Sequence, residues 1–307
     1  MPHTFFDPFD PDLQRSLLQA IRALWTHAST AIEGNILTLG ETTFVLAEGL
    51  TVSGKPLKDH QEVVGHARAL DLLLDLAYSD RPVVVEDLYS LHRAVQNTVL
   101  LDAQCPVGAW KNSPTGTQAV DATGQFRFIE YATPEDVPLL MADWLSDLNQ
   151  SLTSWPIQNT AVRYADLHQA FVRIHPFCDG NGRMARLLTN LPLLRAGLPP
   201  IVIPREHRID YIRLLALYDL EIGPAKAGTP LLRRAITSLS GPSARLPAPW
   251  WMPCSKMRAK PRPGGPKHED RQRTHLHSGT ESQIINRCPH CGWMRAHPHR
   301  EGFRRTA

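Results

Sequence analysis

The densest run of chemically useful residues in the chain is His175-Pro176-Phe177-Cys178-Asp179-Gly180-Asn181-Gly182-Arg183-Met184-Ala185-Arg186. Glycines let backbone N–H groups approach a phosphate closely, and the first turn of a helix adds unpaired N–H groups and the positive end of its dipole. Gly180, Asn181 and Gly182, just ahead of a segment with helical periodicity, therefore read as a cradle for a polyphosphate. Arg183, Arg186 and Asn190 recur at i, i+3 and i+7, a polar stripe that would turn both guanidiniums toward one ligand. Asp179 offers a hard oxygen to a divalent cation, and Mg²⁺ is the ion expected beside nucleotide phosphates. His175 has the side chain whose ordinary pKa suits proton abstraction near neutrality, and is the expected general base. Asp-Gly-Asn-Gly alone would read as a tight turn; the full string, in a helix-rich context, reads as a site.

The elements that must hold these residues are mostly helical. Leu13, Leu17, Leu18, Ile21 and Leu24 form one apolar stripe, and a second helix is expected through Ala28 to Glu33, stopped by Gly34-Asn35. Further helices are expected at Leu70–Ala77, Glu86–Val95, Pro138–Leu148, Thr160–Ile174, Arg183–Ala196 and Ile209–Leu220. Gly108 to Pro134 lacks a helical period; Phe126–Ile129 is its expected strand and Asp121–Gly124 the turn before it, a small β-hairpin. The fold class expected is mainly α with that hairpin and an irregular C-terminal tail. Three regions follow: residues 1–80 as an N-terminal helical region, 81–240 as the core that carries the motif, and 241–307 as a Pro-, Arg- and His-rich tail.

The 307 residues are 42% hydrophobic and 21% charged, enough to bury a substantial core. No apolar run reaches the ~18–20 residues that span a bilayer, and the start lacks a secretory profile, so a cytoplasmic setting without membrane contact is expected. Five cysteines, odd in number and uneven in spacing, argue against a disulfide framework. The net charge of +3 is uneven: residues 251–307 hold 12 Lys and Arg against 4 Asp and Glu, so basic character belongs to the tail. That tail could touch nucleic acid or acidic partners non-specifically. Cys288-Pro289-His290-Cys291 has the spacing of half a zinc site, with His297 and His299 nearby, but no second Cys-x-x-Cys completes it; a basic tail without zinc is the preferred reading. His92 and His168 are lone histidines in apolar helical patterns and read as structural.

The string His175 to Arg186 resembles the Fic signature, His-x-Phe-x-(Asp/Glu)-Gly-Asn-Gly-Arg-x-x-Arg, at every defined position, and the resemblance extends over roughly residues 25–220. It implies a Fic-type helical bundle and a protein adenylyltransferase that moves AMP from Mg·ATP to a Ser, Thr or Tyr hydroxyl of a protein. By that resemblance His175 is the base, Phe177 the loop anchor, Asp179 the Mg²⁺ ligand, Gly180, Asn181 and Gly182 the anion hole, and Arg183 and Arg186 the phosphate-binding arginines. Gly108 to Pro134 matches the flap that holds a target peptide by strand addition, with Lys111 where many relatives have Arg. Arg208 and Tyr211 resemble positions near the nucleotide.

Ser29-Thr30-Ala31-Ile32-Glu33-Gly34-Asn35 further resembles the inhibitory (Ser/Thr)-x-x-x-Glu-(Gly/Asn) motif of that family. The resemblance implies that Glu33 forms a fork-like pair with Arg186 where the γ-phosphate would lie, in cis or from a neighbouring protomer of a homodimer. Three alternatives stay open: removal of AMP from a modified protein, transfer of another nucleotide-derived phosphate group, and an inactive binding module.

Overall fold

The computed structural model describes residues 9–97, 105–121 and 123–232, together with Phe5 and Asp7, all within one compact unit, Met1–Pro253. The tail readings, including Cys288, Cys291, His297 and His299, lie outside the described residues.

The first helix, α1 (Pro11–Ile32), is continuous where two helices were expected. Asp10 caps it, accepting from the N–H groups of Asp12 (3.1 Å) and Leu13 (3.0 Å), and Pro11 occupies the first position, where no N–H is needed. No helix breaker stands between Leu24 and Ala28. The expected stripe is only partly used: Leu13 and Leu18 are exposed, and close burial begins at Ala23 and Trp25. Gly34, at φ +103°, turns the chain out of the helix.

Two helices follow, α2 (Leu39–Glu48) and α3 (Leu57–Ala77). The first opens on a capping box in which Thr38 Oγ1 accepts from the Glu41 N–H and the Glu41 carboxylate accepts from the Thr38 N–H. Next come α4 (Val85–Val95), the hairpin strands β1 (Gly116–Val120) and β2 (Phe126–Glu130), α5 (Val137–Thr153) and α6 (Thr160–Ile174). The strands pair antiparallel, Gly116 opposite Glu130 and Val120 opposite Phe126, closed by the expected turn in which the Asp121 N–H donates to the Gln125 carbonyl.

The helix expected over Arg183–Ala196 is two helices, α7 (Asn181–Leu188) and α8 (Leu191–Arg195), before α9 (Arg208–Ile222). Pro192 has no N–H to continue the ladder. Asn190 stabilises the break: its Nδ2 donates to the carbonyls of Arg186 and Ile201, both at 2.9 Å, and its Oδ1 accepts from the Ile201 N–H. Asn190 therefore does not join a ligand-facing stripe. One apolar core runs through Trp25, Leu70, Leu88, Trp144, Phe171, Phe177 and Leu187, so α1, α3, α4, α5, α6 and α7 share a single packed interior.

Candidate active site

The loop between α6 and α7 is fixed from within and from α4. Phe177 is fully buried and stacks on His92 at 3.9 Å between ring centroids. The Asn181 side chain clamps the turn, Oδ1 accepting from the Phe177 N–H (3.0 Å) and Nδ2 donating to the Phe177 carbonyl (2.8 Å). Its amide is thus engaged within the loop, which leaves the backbone N–H of Asn181 to face an anion. His92 Nδ1 accepts from the Gly108 N–H, which leaves Nε2–H to donate to the Asp179 carbonyl (3.1 Å). Burial holds His92 down to about 4, so it remains neutral in this bridging role.

Gly180, in the left-handed conformation at φ +77°, is the N-cap of α7 and supplies no side chain to its amides. Met184 N–H donates to the Gly180 carbonyl, the first bond of the helix. The N–H groups of Asn181, Gly182 and Arg183 precede that bond and lack intrahelical acceptors by helix geometry. They form the anion end of α7.

His175 caps α6 at φ +52°, the one non-glycine residue with positive φ among the described residues. Its Nδ1 lies 3.2 Å from the Val172 carbonyl; a carbonyl only accepts, so Nδ1 carries the proton and Nε2 keeps a free lone pair. Tyr131, at the end of the hairpin, stacks flat on the imidazole at 3.7 Å. Burial pushes His175 down to about 4; the Val172 carbonyl opposes this, and the Lys111 charge adds to it. Lys111 is itself buried and lowered to about 8, its Nζ donating to Thr115 Oγ1 and its backbone N–H to the Pro176 carbonyl.

Arg186 is buried and donates four ways: Nε to Ser29 Oγ (3.0 Å), Nη2 to the Ser29 carbonyl (2.9 Å) and to Glu33 Oε1 (2.6 Å), and Nη1 to the Tyr211 hydroxyl (3.3 Å). Glu33 is therefore held by one short charge-assisted bond and not by a fork, while Ser29 takes two further N–H groups and Tyr211 a third. Desolvation would raise the Glu33 carboxyl, but the charges of Arg186 and Arg183 outweigh it and hold it ionised. Asn35 pins the chain just beyond, donating from Nδ2 to the Asp59 carbonyl and to Glu62 Oε2. Arg208 donates to the Ile32 carbonyl, and Tyr211 continues to His168 Nε2 at 3.1 Å.

A cavity of about 690 Å³ opens between the hairpin and α9, and its walls include Glu33, His175, Gly182 and Arg186. Of the residues singled out in the sequence, these four share the cavity, joined by Arg208 and Tyr211. Asp179 and Arg183 are not in its lining; they pair with each other at 3.3 Å, and Gln96 Nε2 donates to the same Asp179 oxygen at 2.9 Å. Arg183 Nε is a buried donor without a partner among the described residues, which suits an anionic ligand at the head of α7. The Asp179 side chain is 73% exposed and held ionised: desolvation raises it, but Arg183 and the Gln96 bond lower it further. No cluster of three His, Cys, Asp or Glu exists among the described residues, so a cation here would rest on this one carboxylate plus ligand oxygens, the manner in which Mg²⁺ binds nucleotides. Sequence reasoning missed Gln96, Tyr131 and the bridging role of His92; none carries a local pattern that marks it.

Residues 82–193 match the model of the Fic/DOC family. A Fic domain containing signaling protein from Bacteroides thetaiotaomicron is 31% identical, with the match covering 74% of this chain and 83% of that one at a TM-score of 0.63. The chain belongs to the Fic/DOC family. Fic-1 from Caenorhabditis elegans superposes at a TM-score of 0.56 with 32% identity, over 70% of this chain and 61% of that structure. The protein adenylyltransferase fic-1 of Caenorhabditis briggsae is 34% identical over 210 residues, 67% of this chain and 38% of its own length. The chain thus spans under two fifths of the curated relatives it matches. Within the Fic fold seen here, the signature supplies the α6–α7 loop and the inhibitory-type motif supplies the end of α1. No helix among the described residues is long and apolar enough to cross a membrane.

Proposed function

We propose that the chain is a protein adenylyltransferase, transferring AMP from ATP to a Ser, Thr or Tyr hydroxyl of a protein, and that Glu33 holds it inactive at rest. The observation that carries this reading is the meeting of a neutral histidine with a free Nε2, an uncapped helix N-terminus and a buried arginine around one cavity.

His175 Nε2 removes the proton of the target hydroxyl, whose oxygen attacks the α-phosphorus; the bond to the bridging oxygen breaks and pyrophosphate leaves. The α7 amides and Arg183 stabilise the negative charge on the phosphates. Asp179 is the residue that would hold Mg²⁺, which when bound screens the charge of the phosphates. The exposed hairpin supports binding of the target by strand addition, since β1 and β2 pair only with each other among the described residues.

The names of the fic-1 and Fic relatives, protein adenylyltransferases, support the same activity. The contact of Glu33 with Arg186 within one chain supports inhibition in cis. Incubating Glu33→Gly protein with α-labelled and γ-labelled ATP in parallel tests the reading. Label from the α position alone supports AMP transfer; γ label means phosphorylation and contradicts it.

A further inference from the structure

Arg186 is held from two sides. Three of its four hydrogen bonds go to the end of α1, to Ser29 Oγ, the Ser29 carbonyl and Glu33 Oε1. The fourth runs from Nη1 to the Tyr211 hydroxyl on α9, 3.3 Å away. Tyr211 is thus the one contact of these four that does not belong to the element carrying Glu33.

The polarity of that contact is fixed by its partners. A guanidinium only donates, so the Tyr211 oxygen accepts from Arg186, and its own proton must be given elsewhere. Tyr211 is buried, so the proton has to be satisfied inside the protein. His168 Nε2 lies 3.1 Å from the hydroxyl oxygen. It therefore accepts the Tyr211 proton, and the imidazole carries its hydrogen on Nδ1. This role needs a neutral ring, and burial followed by the Arg186 charge holds His168 down to about 3. Tyr164, one turn earlier on α6, stacks on the ring at 5.9 Å between centroids, and Tyr211 meets it edge-on at 5.6 Å. The imidazole is gripped between two aromatic side chains and presents Nε2 in one direction.

We propose that His168 is a positioning residue for Arg186: by accepting the Tyr211 proton it turns the Tyr211 oxygen toward Nη1 and keeps the guanidinium at the cavity wall when Glu33 is displaced. The proposal rests on the nucleotide-binding reading above, in which Arg186 meets the γ-phosphate of ATP. His168 is not in the cavity lining and acts through Tyr211, which is. It should therefore matter for ATP and not for ADP, which lacks the phosphate that Arg186 holds.

The test is equilibrium binding of ATP and of ADP, each with Mg²⁺, to full-length Glu33→Gly protein and to variants made in it, with folding checked by circular dichroism. His168→Leu and His168→Met each remove the acceptor; ATP affinity should fall roughly tenfold, the scale of one hydrogen bond to a charged group, while ADP affinity stays within about twofold. Tyr211→Phe deletes the hydroxyl alone and should give the same selective loss. Adding His168→Leu to Tyr211→Phe should cost no further ATP affinity, since both act through one chain of bonds. His168→Gln, whose Oε1 can replace Nε2 as acceptor, should keep most of the ATP affinity. Equal losses for ATP and ADP, or no loss, in whichever of the Leu and Met variants folds overturns the positioning role while nucleotide binding stands. So does a Tyr211→Phe protein without the selective loss, or a His168→Gln protein as weak for ATP as His168→Leu. Failure of folded Glu33→Gly protein to bind either nucleotide overturns the nucleotide reading, and this inference with it.

Discussion

Glu33 Oε1 lies 2.6 Å from Arg186 Nη2, joining the end of α1 to the middle of α7 across 153 positions of sequence. The same oxygen would stand 2.6 Å from a methyl group placed on Gly182. Glu33 is thus itself the anion over the first turn of α7, where an anionic ligand would be bound by the free amides. Replacing Glu33 by glycine removes the competing carboxylate and frees one N–H of Arg186. ATP affinity should rise by about tenfold, the size of one charge-assisted hydrogen bond of roughly 1.5 kcal/mol. Calorimetric titration of ATP into the wild type and Glu33→Gly measures this; equal affinities would mean that Glu33 does not compete.

Gly182→Ala separates displacement of Glu33 from opening of the site. The added methyl would also meet Arg186 Nη1 at 3.0 Å, so it forces Glu33 aside while occupying the space a phosphate needs. Label incorporation from α-labelled ATP should stay at or below the wild-type level, in contrast to Glu33→Gly. Activation of Gly182→Ala to the same level would show that the first turn of α7 is not where phosphate binds.

His92 fastens the signature loop to α4 and to the base of the hairpin, through Gly108, Asp179 and the stack on Phe177. His92→Ala loses the stack and both hydrogen bonds and leaves a cavity, a loss of about 2–4 kcal/mol of stability. Urea unfolding followed by circular dichroism checks the value; a change within experimental error would mean that the loop holds itself.

Three fully buried histidines, His66, His92 and His168, are held down to about 3, about 4 and about 3. Their folded pKa values lie below the unfolded one near 6.5, so between about pH 4 and 6.5 the unfolded chain binds more protons and stability falls as pH falls. Asp219, raised to about 7, works the other way over this range because the folded state keeps a proton that the unfolded one loses. His175, held down to about 4, adds a fourth proton, and four against one leaves a net slope of up to roughly 4 kcal/mol per pH unit. Melting temperatures recorded from pH 7 down to pH 5 should drop steadily; a flat profile would contradict the neutral burial of these rings.

The signature was legible because its twelve residues are contiguous and their chemistry is local: a base, a carboxylate, glycines and arginines around one helix start. The inhibitory-type motif was legible as a string, and the structure gives each position a task, with Ser29 and Glu33 on Arg186, Gly34 turning the chain and Asn35 pinning it to α3. Asn190 was misread because an amide that bonds its own backbone looks the same in sequence as one aimed at a ligand. Tyr131, Gln96 and Asp219 were not legible at all, since single polar residues 44 to 83 positions from their partners carry no periodic signal. Thr38-Leu39-Gly40-Glu41 did carry the capping-box spacing that opens α2, a signal present and unused.

The most direct test of the account compares wild type, Glu33→Gly and Glu33→Gly with His175→Ala, each incubated with α-labelled ATP under the same conditions. The wild type should label weakly and Glu33→Gly strongly. The double variant should fall by at least about a hundredfold from Glu33→Gly, the lower end of what a general base contributes, while still binding ATP. Equal labelling of wild type and Glu33→Gly, or undiminished labelling without His175, would contradict a transferase restrained by Glu33 and driven by His175.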